Sequence, residues 1–453
     1  MGCSLKIAPG PSGSKILGNL REFRRDVLRL LLDSARAFGD VVRFRLGSEI
    51  VHLVNQPDHI EHVLQKNQRN YDKRTRSTAK MRAICGESLL TSNGDVWRRQ
   101  RRLIQPAFHH QHIANFAATM VETTAVMLER WEKFARRAET FDVASEMSRL
   151  TYTIVGRTLF GADVSADADE VERALGVVLE HTYHRLEKLL DMPLNFPSPA
   201  NRRFQHALGA IDRVVYRIIV ERRRARSAQE DLLSMLLAAR DEETGQGMSD
   251  EQLRNETITL ILAGHETTAN ALSWTFYLLS QFPEVEERWR AEVRSVLEGR
   301  APAWEDLPQL KYTTMVINES LRLYPPIWIY ERHAVGDDVI DGYHIPAGST
   351  VVISPFVLHR HPAFWERPET FDPTRFADET TVNRSRPAYL PFGAGPHLCI
   401  GNNFAMMEAR IILAMVAQCY RLRLRPGHPV EPKPGITLRP RHGLLMTAQK
   451  IND

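Results

Sequence analysis

From Ser249 to Pro283 the chain holds no internal proline, and it opens with Ser249-Asp250-Glu251-Gln252, the spacing of a helix-capping box. The segment is predicted to form one helix of roughly 30 residues, about 45 Å long. Arg254, Glu256, His265 and Glu266 make it a poor membrane span. A helix of that length needs partners on several sides, so it has to cross the core of a large protein. At 453 residues the chain is long enough to bury such a core, and no linker-like stretch divides it. A single domain over residues 1–453 is expected.

The rest of the chain favours a mainly α fold with a smaller β-rich part. Residues from about 58 to 330 read chiefly as helices, with 3.6-residue periodicity in Ile113 to Phe134, Glu170 to Leu190, Ala200 to Arg226 and Asp231 to Arg240. A last helix is expected from about Asn402 to Arg421. Val41 to Val54 alternates apolar and polar residues and is rich in valine, the pattern of half-buried strands. More strands are expected in about 335–355, at Val339 to Ile345 and Thr350 to Ile353. Ile436 to Ala448 reads as a terminal hairpin turning at Pro440 to Gly443.

Composition removes several function classes. Lysine and arginine total 59 against 55 acidic residues, a net charge of +4 that is too mild for a nucleic-acid binder. On that ground the basic runs Arg98 to Arg102 and Arg222 to Arg226 read as solvated helix faces. Cys3, Cys85, Cys399 and Cys419 lie far apart with no Cys-x-x-Cys pair, which argues against a disulfide scaffold or a four-cysteine zinc site and fits a reducing compartment. Arg29 splits the first apolar run, Val27 to Leu32, and no later run is long enough to span a bilayer. Neither a signal peptide nor a membrane anchor is expected, and the protein is expected in the cytoplasm. The start Met1-Gly2-Cys3-Ser4-Leu5-Lys6 has lysine where a myristoylation signal needs serine or threonine.

Three short segments carry chemistry. At the centre of the long helix lies Ala263-Gly264-His265-Glu266-Thr267-Thr268. Glycine weakens a helix and a hydroxyl one turn on competes for a carbonyl, so a kink or groove is expected there. Ala263 and Thr267 share a face, with Glu266 beside it. Next, Glu319-Ser320-Leu321-Arg322 pairs opposite charges at i and i+3, and Leu323-Tyr324-Pro325-Pro326 ends its helix. Phe371-Asp372-Pro373-Thr374-Arg375-Phe376 brings a second arginine, and a buried glutamate with two arginines would lock the fold.

The third segment is Phe392-Gly393-Ala394-Gly395-Pro396-His397-Leu398-Cys399-Ile400-Gly401. Its glycines let the backbone wrap tightly around a ligand. Cys399 precedes a helix starting near Asn402, where the helix dipole and free amides favour a thiolate, the form an iron ligand takes. Two other readings remain open on the residues alone. His397 and Cys399 could bind zinc, although their spacing is too short for the usual structural site, and Cys399 could act as a nucleophile if one of the 17 histidines served as its base. Cys3, Cys85 and Cys419 read as inert residues.

Taken in order, these motifs resemble those of the cytochrome P-450 family. Ala263 to Thr268 is similar to its (A/G)GxxT pattern, Glu319 to Arg322 to its ExxR pair, and Phe392 to Gly401 to its FxxGxxxCxG loop, with likeness running from about Pro9 to Ala448. The resemblance implies a soluble, bacterial-type haem-thiolate monooxygenase, mainly α with a smaller β-rich part, enclosing haem b. It implies Cys399 as the axial iron ligand, with Phe392 beside the sulfur and Gly395 and Gly401 shaping the loop. Trp97-Arg98-Arg99-Gln100-Arg101 matches the family's WxxxR helix, so Trp97, Arg101, Arg332 and His397 are expected on the haem propionates. Ala263 would line the oxygen site, and Glu266 and Thr267 would be the acid and alcohol that deliver protons. Two positions depart from the pattern: arginine is commoner where His397 stands, and glutamate commonly stands where this chain has Thr374.

The implied reaction inserts one atom of O2 into a C–H bond or double bond of a lipophilic molecule such as a fatty acid, terpenoid, steroid or macrolide. Its pocket would be lined from Ile84 to Leu90, Thr182 to Phe196, Ala263, Ile327 to Tyr330 and around Leu438. The chain stops soon after the cysteine helix, so electrons are expected from a separate ferredoxin or flavodoxin with an NAD(P)H-dependent reductase, docked at Arg98 to Arg102. Other functions with the same motifs are a haem-thiolate isomerase or dehydratase, a peroxide-driven peroxygenase, or a non-catalytic haem or gas-binding protein. Glu266 and Thr267 argue against the first two.

Overall fold

The computed structural model describes residues 6–161, 165–188, 192–225, 231–377 and 388–451; Cys3, Arg226 and part of the Thr182 to Phe196 stretch lie outside them. The segment opened by Ser249 is one helix, Asp250–Gln281, and the Ser249 hydroxyl accepts from the Gln252 amide at 3.1 Å. Only that half of the capping box forms, because the Gln252 side chain accepts from Arg99 Nη1 instead. Pro283 opens the next helix, Pro283–Leu297, at a position where its missing amide costs nothing.

The long helix is buried on most sides. It packs most extensively on Val143–Phe160 and also on Pro199–Ala225, Lys311–Leu323 and Asn402–Cys419. At the first crossing a Cβ on Gly264 would stand 3.0 Å from Val155 Cγ2, so glycine is what lets the two backbones approach. The helix is unbroken there, and the Thr267 hydroxyl donates to the Ala263 carbonyl one turn back.

Four side chains on the first half of this helix fasten the last turn of the helix Arg76–Cys85 and the loop that follows it. Arg254 donates to the Ile84 carbonyl at 2.8 Å, the Asn255 side chain fills the space beside Gly86, Glu256 accepts from the Leu89 amide at 3.0 Å, and Thr259 donates to Ser88 Oγ at 2.8 Å. Its second half fastens a loop near the C-terminus. There Asn270 donates to Thr437 Oγ1 and Trp274 to the Leu438 carbonyl, each at 3.0 Å.

A five-stranded sheet closes one flank, in the order Val41–Leu46, Glu49–Val54, Thr350–Ile353, Tyr330–Ala334, Tyr71–Asp72. The first two strands form the expected hairpin, and only the Glu49–Val54 with Thr350–Ile353 pairing is parallel. Asp338–Ile340 and Tyr343–Ile345 make a separate two-stranded hairpin. Strands also occur inside the span expected to be helical, at Tyr71–Asp72 and Thr140–Asp142, and Tyr330–Ala334 begins earlier than the β-rich part was expected to. The terminal hairpin does not form as expected. Leu438–Pro440 pairs with Pro432–Pro434, while Leu445–Lys450 lies between Tyr420–Leu424 and Thr140–Asp142, because Trp274 and the Pro326 carbonyl hold Leu438 inward.

Glu319 and Arg322 lock the centre. Both are fully buried, and Arg322 grips the carboxylate with Nε at 2.7 Å and Nη2 at 2.8 Å. Its remaining protons go to the carbonyls of His359, Pro368 and Thr370. Arg375 Nε stands 3.3 Å from Glu319 Oε1, so the expected pairing of one glutamate with two arginines is present.

Candidate active site

A cavity of about 620 Å³ lies between the long helix and the cysteine loop, and its walls are mostly apolar. Ala263, Glu266 and Thr267 line it from the helix; Phe392, His397, Cys399 and Gly401 from the loop; Arg332 from the sheet. Three expected site residues do not line it. Trp97, on the helix Gly94–Ile104, packs its ring on His397 with centroids 4.0 Å apart, and Arg101 donates to the Leu398 carbonyl at 3.0 Å. Gly395, at φ +68°, is pressed against the Leu64 carbonyl. All three shape the loop from behind.

Within the loop the Cys399 amide donates to the Phe392 carbonyl at 2.9 Å, and Gly393 also takes a positive φ, +77°. The loop therefore closes on itself and turns the Cys399 side chain into the cavity. Burial, the largest influence, pushes the thiol up, against the Gly401 amide and the nearby Arg101 guanidinium. The protein environment alone thus favours the thiol, contrary to the expectation from the helix start; a bound metal ion would reverse that balance.

Across the helix face, burial raises the Glu266 carboxyl above its usual range, opposed by the Thr437 hydroxyl beside it and by Arg439. Behind it lies an acid that no motif pointed to. Glu408 on Asn402–Cys419 is wholly buried and pushed well up, with the Thr268 hydroxyl beside it and neither oxygen partnered at full hydrogen-bonding geometry.

Cations gather at one end of the cavity. Among the described residues, Arg332 donates only to the neighbouring Glu331 carbonyl, and the Lys73 ammonium only to the Leu89 carbonyl at 2.9 Å. Among the described residues neither has a carboxylate at ion-pair distance. Burial, with Arg332 next, holds Lys73 down to about 7. His397 is driven to about 3 by burial and by Lys73, Arg332 and Arg101, and so stays neutral with one N–H to donate. Buried cations without counter-ions are costly, and they mark a place for anionic groups. A flat apolar ring carrying two carboxylates, ligated from below by a cysteine, fits this cavity.

The expected pocket is partly reproduced. Leu90, Tyr183, Leu186 and all of Ile327 to Tyr330 line the cavity, whereas Ile84 and Leu438 stand behind it and Met192 and Phe196 are exposed. Gly435, Ile436 and Thr437 supply the lining expected around Leu438.

Comparison with known proteins agrees with this geometry. The sequence profile of the family described as Cytochrome P450 matches residues 8–451. The chain is 40% identical to the cyclooctatin synthase of Streptomyces melanosporofaciens, over 95% of this chain and 93% of that protein. It is 39% identical to the cyclooctat-9-en-7-ol 5-monooxygenase of the same organism, over 92% and 90%, and 34% identical to the pentalenene oxygenase of Streptomyces avermitilis, over 93% and 92%. The crystal structure of a cytochrome P450DA heme domain superposes with a TM-score of 0.90 at 27% identity, covering 99% of this chain and 98% of that one. The fold and the site define a haem b monooxygenase. The chain belongs to the cytochrome P450 family. No helix among the described residues is long and apolar enough to cross a membrane.

Proposed function

We propose that this monooxygenase oxidises a terpenoid hydrocarbon or alcohol, with Cys399 as the residue that would hold the haem iron and Glu266 and Thr267 as the groups that supply protons. The observation that carries the reading is that one apolar cavity takes in Cys399, Glu266 and Thr267 together, with Lys73 and Arg332 at its end. Leu90, Leu179, Ile327, Ile329 and Ile436 offer a substrate apolar contact and few hydrogen bonds, which suits a terpenoid better than a sugar or nucleotide. The relatives named for cyclooctatin and pentalenene chemistry support the same class.

When bound, haem supplies the activation of O2. The chain's own residues do the rest. Lys73, Arg332 and His397 hold carboxylates by charge-assisted contacts, with Trp97 and Arg101 bracing His397 and Leu398. Apolar side chains exclude water, so protons must come from the protein. Burial keeps a proton available on the Glu266 carboxyl, and the Thr267 hydroxyl one residue on can release the Ala263 carbonyl and pass that proton into the cavity.

Electrons come from a separate ferredoxin or flavodoxin served by an NAD(P)H-dependent reductase. Arg98 is the arginine offered for docking it, exposed and, among the described residues, paired with the exposed Asp95 alone. Arg102 serves the fold instead, joined to Asp241 and Glu243.

The test is the visible spectrum of the reduced protein with carbon monoxide, for wild type and Cys399→Ala. A strongly red-shifted Soret band present in wild type and lost in the variant is expected; its absence from fully haem-loaded wild type would overturn the ligand assignment. Terpenoid alcohols should then give a larger substrate-induced spin-state shift than fatty acids of equal carbon number, and the reverse order would remove the substrate class.

A further inference from the structure

The loop near the C-terminus reaches the acid read above as the proton source. Glu266 and Asn270 lie four residues apart on the long helix and so share a face. Thr437, buried with only 4% of its surface exposed, meets both. Asn270 Nδ2 donates to Thr437 Oγ1 at 3.0 Å, and the same hydroxyl lies beside the Glu266 carboxyl, which lines the cavity wall with it and which it draws toward the ionised form. A threonine hydroxyl has one proton and two acceptor sites. With the amide occupying an acceptor site, the proton is left to point at Glu266.

The hydroxyl is itself held in place. The Gly435 amide donates to the Thr437 carbonyl at 3.0 Å, Trp328 Nε1 donates to the Gly435 carbonyl at 2.9 Å, and Trp274 fixes Leu438. Gly435, Ile436 and Thr437 all line the cavity, so one segment faces both the cavity and the acid on its wall. We propose that Thr437 is a positioning residue for Glu266, its hydroxyl oriented by Asn270 so that the carboxyl is held at the cavity wall in one arrangement. The inference rests on the reading of Glu266 as the proton source.

A bond donated by Thr437 favours the ionised carboxylate, against burial, which favours the acid. Arg439 on the adjoining strand acts in the same sense as Thr437. The other titratable groups nearby are Tyr183, which lines the same cavity from Ser165–Glu187, His265, which turns to Ser148 on Val143–Phe160, and Glu408, which faces Thr268 from Asn402–Cys419. Removing the Thr437 hydroxyl should therefore raise the pH at which Glu266 titrates and free the carboxyl to leave the wall.

The experiment is an infrared pH titration of the holoenzyme, in which the carboxyl band lost in Glu266→Gln reports Glu266. Thr437→Val is expected to move that band's midpoint up by about one pH unit. The pH profile of product formed per NAD(P)H consumed should move with it, and Thr437→Ser should restore both. Coincident midpoints for wild type and Thr437→Val would overturn the proposal. So would Thr437→Ser behaving as Thr437→Val does, since that marks a merely structural role. Haem content and melting temperature check folding, and the serine variant keeps the comparison available if valine disturbs it. A Glu266→Gln enzyme with undiminished product per NAD(P)H would instead remove the proton-source reading, an outcome separate from an unmoved infrared band.

Discussion

Gly395 faces the Leu64 carbonyl so closely that a Cβ on the glycine would lie 2.3 Å from that oxygen. The contact joins the cysteine loop to the short π-helical turn His62–Lys66, and the positive φ of Gly395 removes any alternative rotation. Gly395→Ala should cost at least about 1–2 kcal/mol from backbone strain alone and should loosen Cys399. Thermal denaturation and haem occupancy of the purified variant check this; wild-type values for both would show that the loop accommodates a side chain.

Lys73 and Arg332 are placed for the anionic edge of the haem. Without that edge they are buried cations lacking counter-ions, so Lys73→Met and Arg332→Leu should leave the haem-free protein as stable as wild type or more so. With haem the sign reverses. Each charged contact is worth about 1.5–3 kcal/mol, so haem should transfer to apomyoglobin roughly ten to a hundred times faster from either variant. Unchanged transfer rates would mean that the cations serve some other anion.

Acid should destabilise the fold through His52. Both its ring nitrogens are buried on Glu49–Val54 without partners among the described residues, and burial, helped by Arg43 and His344, lowers it to about 4. The unfolded chain binds a proton near pH 6.5 while the folded one resists until about 4. Stability is therefore whole above pH 6.5, falls as pH drops from 6.5 to about 4, and loses no more from this group below that. His52→Leu should flatten that limb by roughly 1–3 kcal/mol at little cost at neutral pH. Denaturant midpoints at pH 7 and pH 5 for the two proteins decide it.

Docking should respond to Arg98 and not simply to net charge. Arg98→Glu is expected to slow reduction by an acidic electron donor and weaken its dependence on salt, with folding unaffected. Arg102→Glu should lower the melting temperature, because it strands Asp241, whose side chain has no exposed surface. Stopped-flow reduction across a salt series, with melting curves for each variant, separates the two. Equal salt slopes for Arg98→Glu and wild type would place the docking face elsewhere.

The features legible in the sequence were those with local causes. Proline spacing and a capping serine are enough to define Asp250–Gln281, and the glycines around Cys399 define a tight loop wherever it sits. Tyr330–Ala334 was missed because Glu331-Arg332-His333 lacks the apolar rhythm of a strand; it is extended through pairing with Thr350–Ile353 and Tyr71–Asp72. The terminal hairpin was misread for a related reason, since Tyr420–Leu424 competes for Leu445–Lys450. Lys73 and Glu408 belong to no motif. Their importance comes from what surrounds them, burial beside a second cation in one case and complete burial in the other.

The long helix also separates frame from lining. Arg254, Glu256 and Thr259 grip one loop, Asn270 and Trp274 grip another, and the grips fall mainly on backbone groups or on residues beside those that face the cavity. Leu90 and Ile436 line the cavity without taking part in these grips, so a substitution at either would remove no anchoring bond. Selectivity in such a molecule can drift by point substitution at two loop tips, leaving the machinery between them untouched.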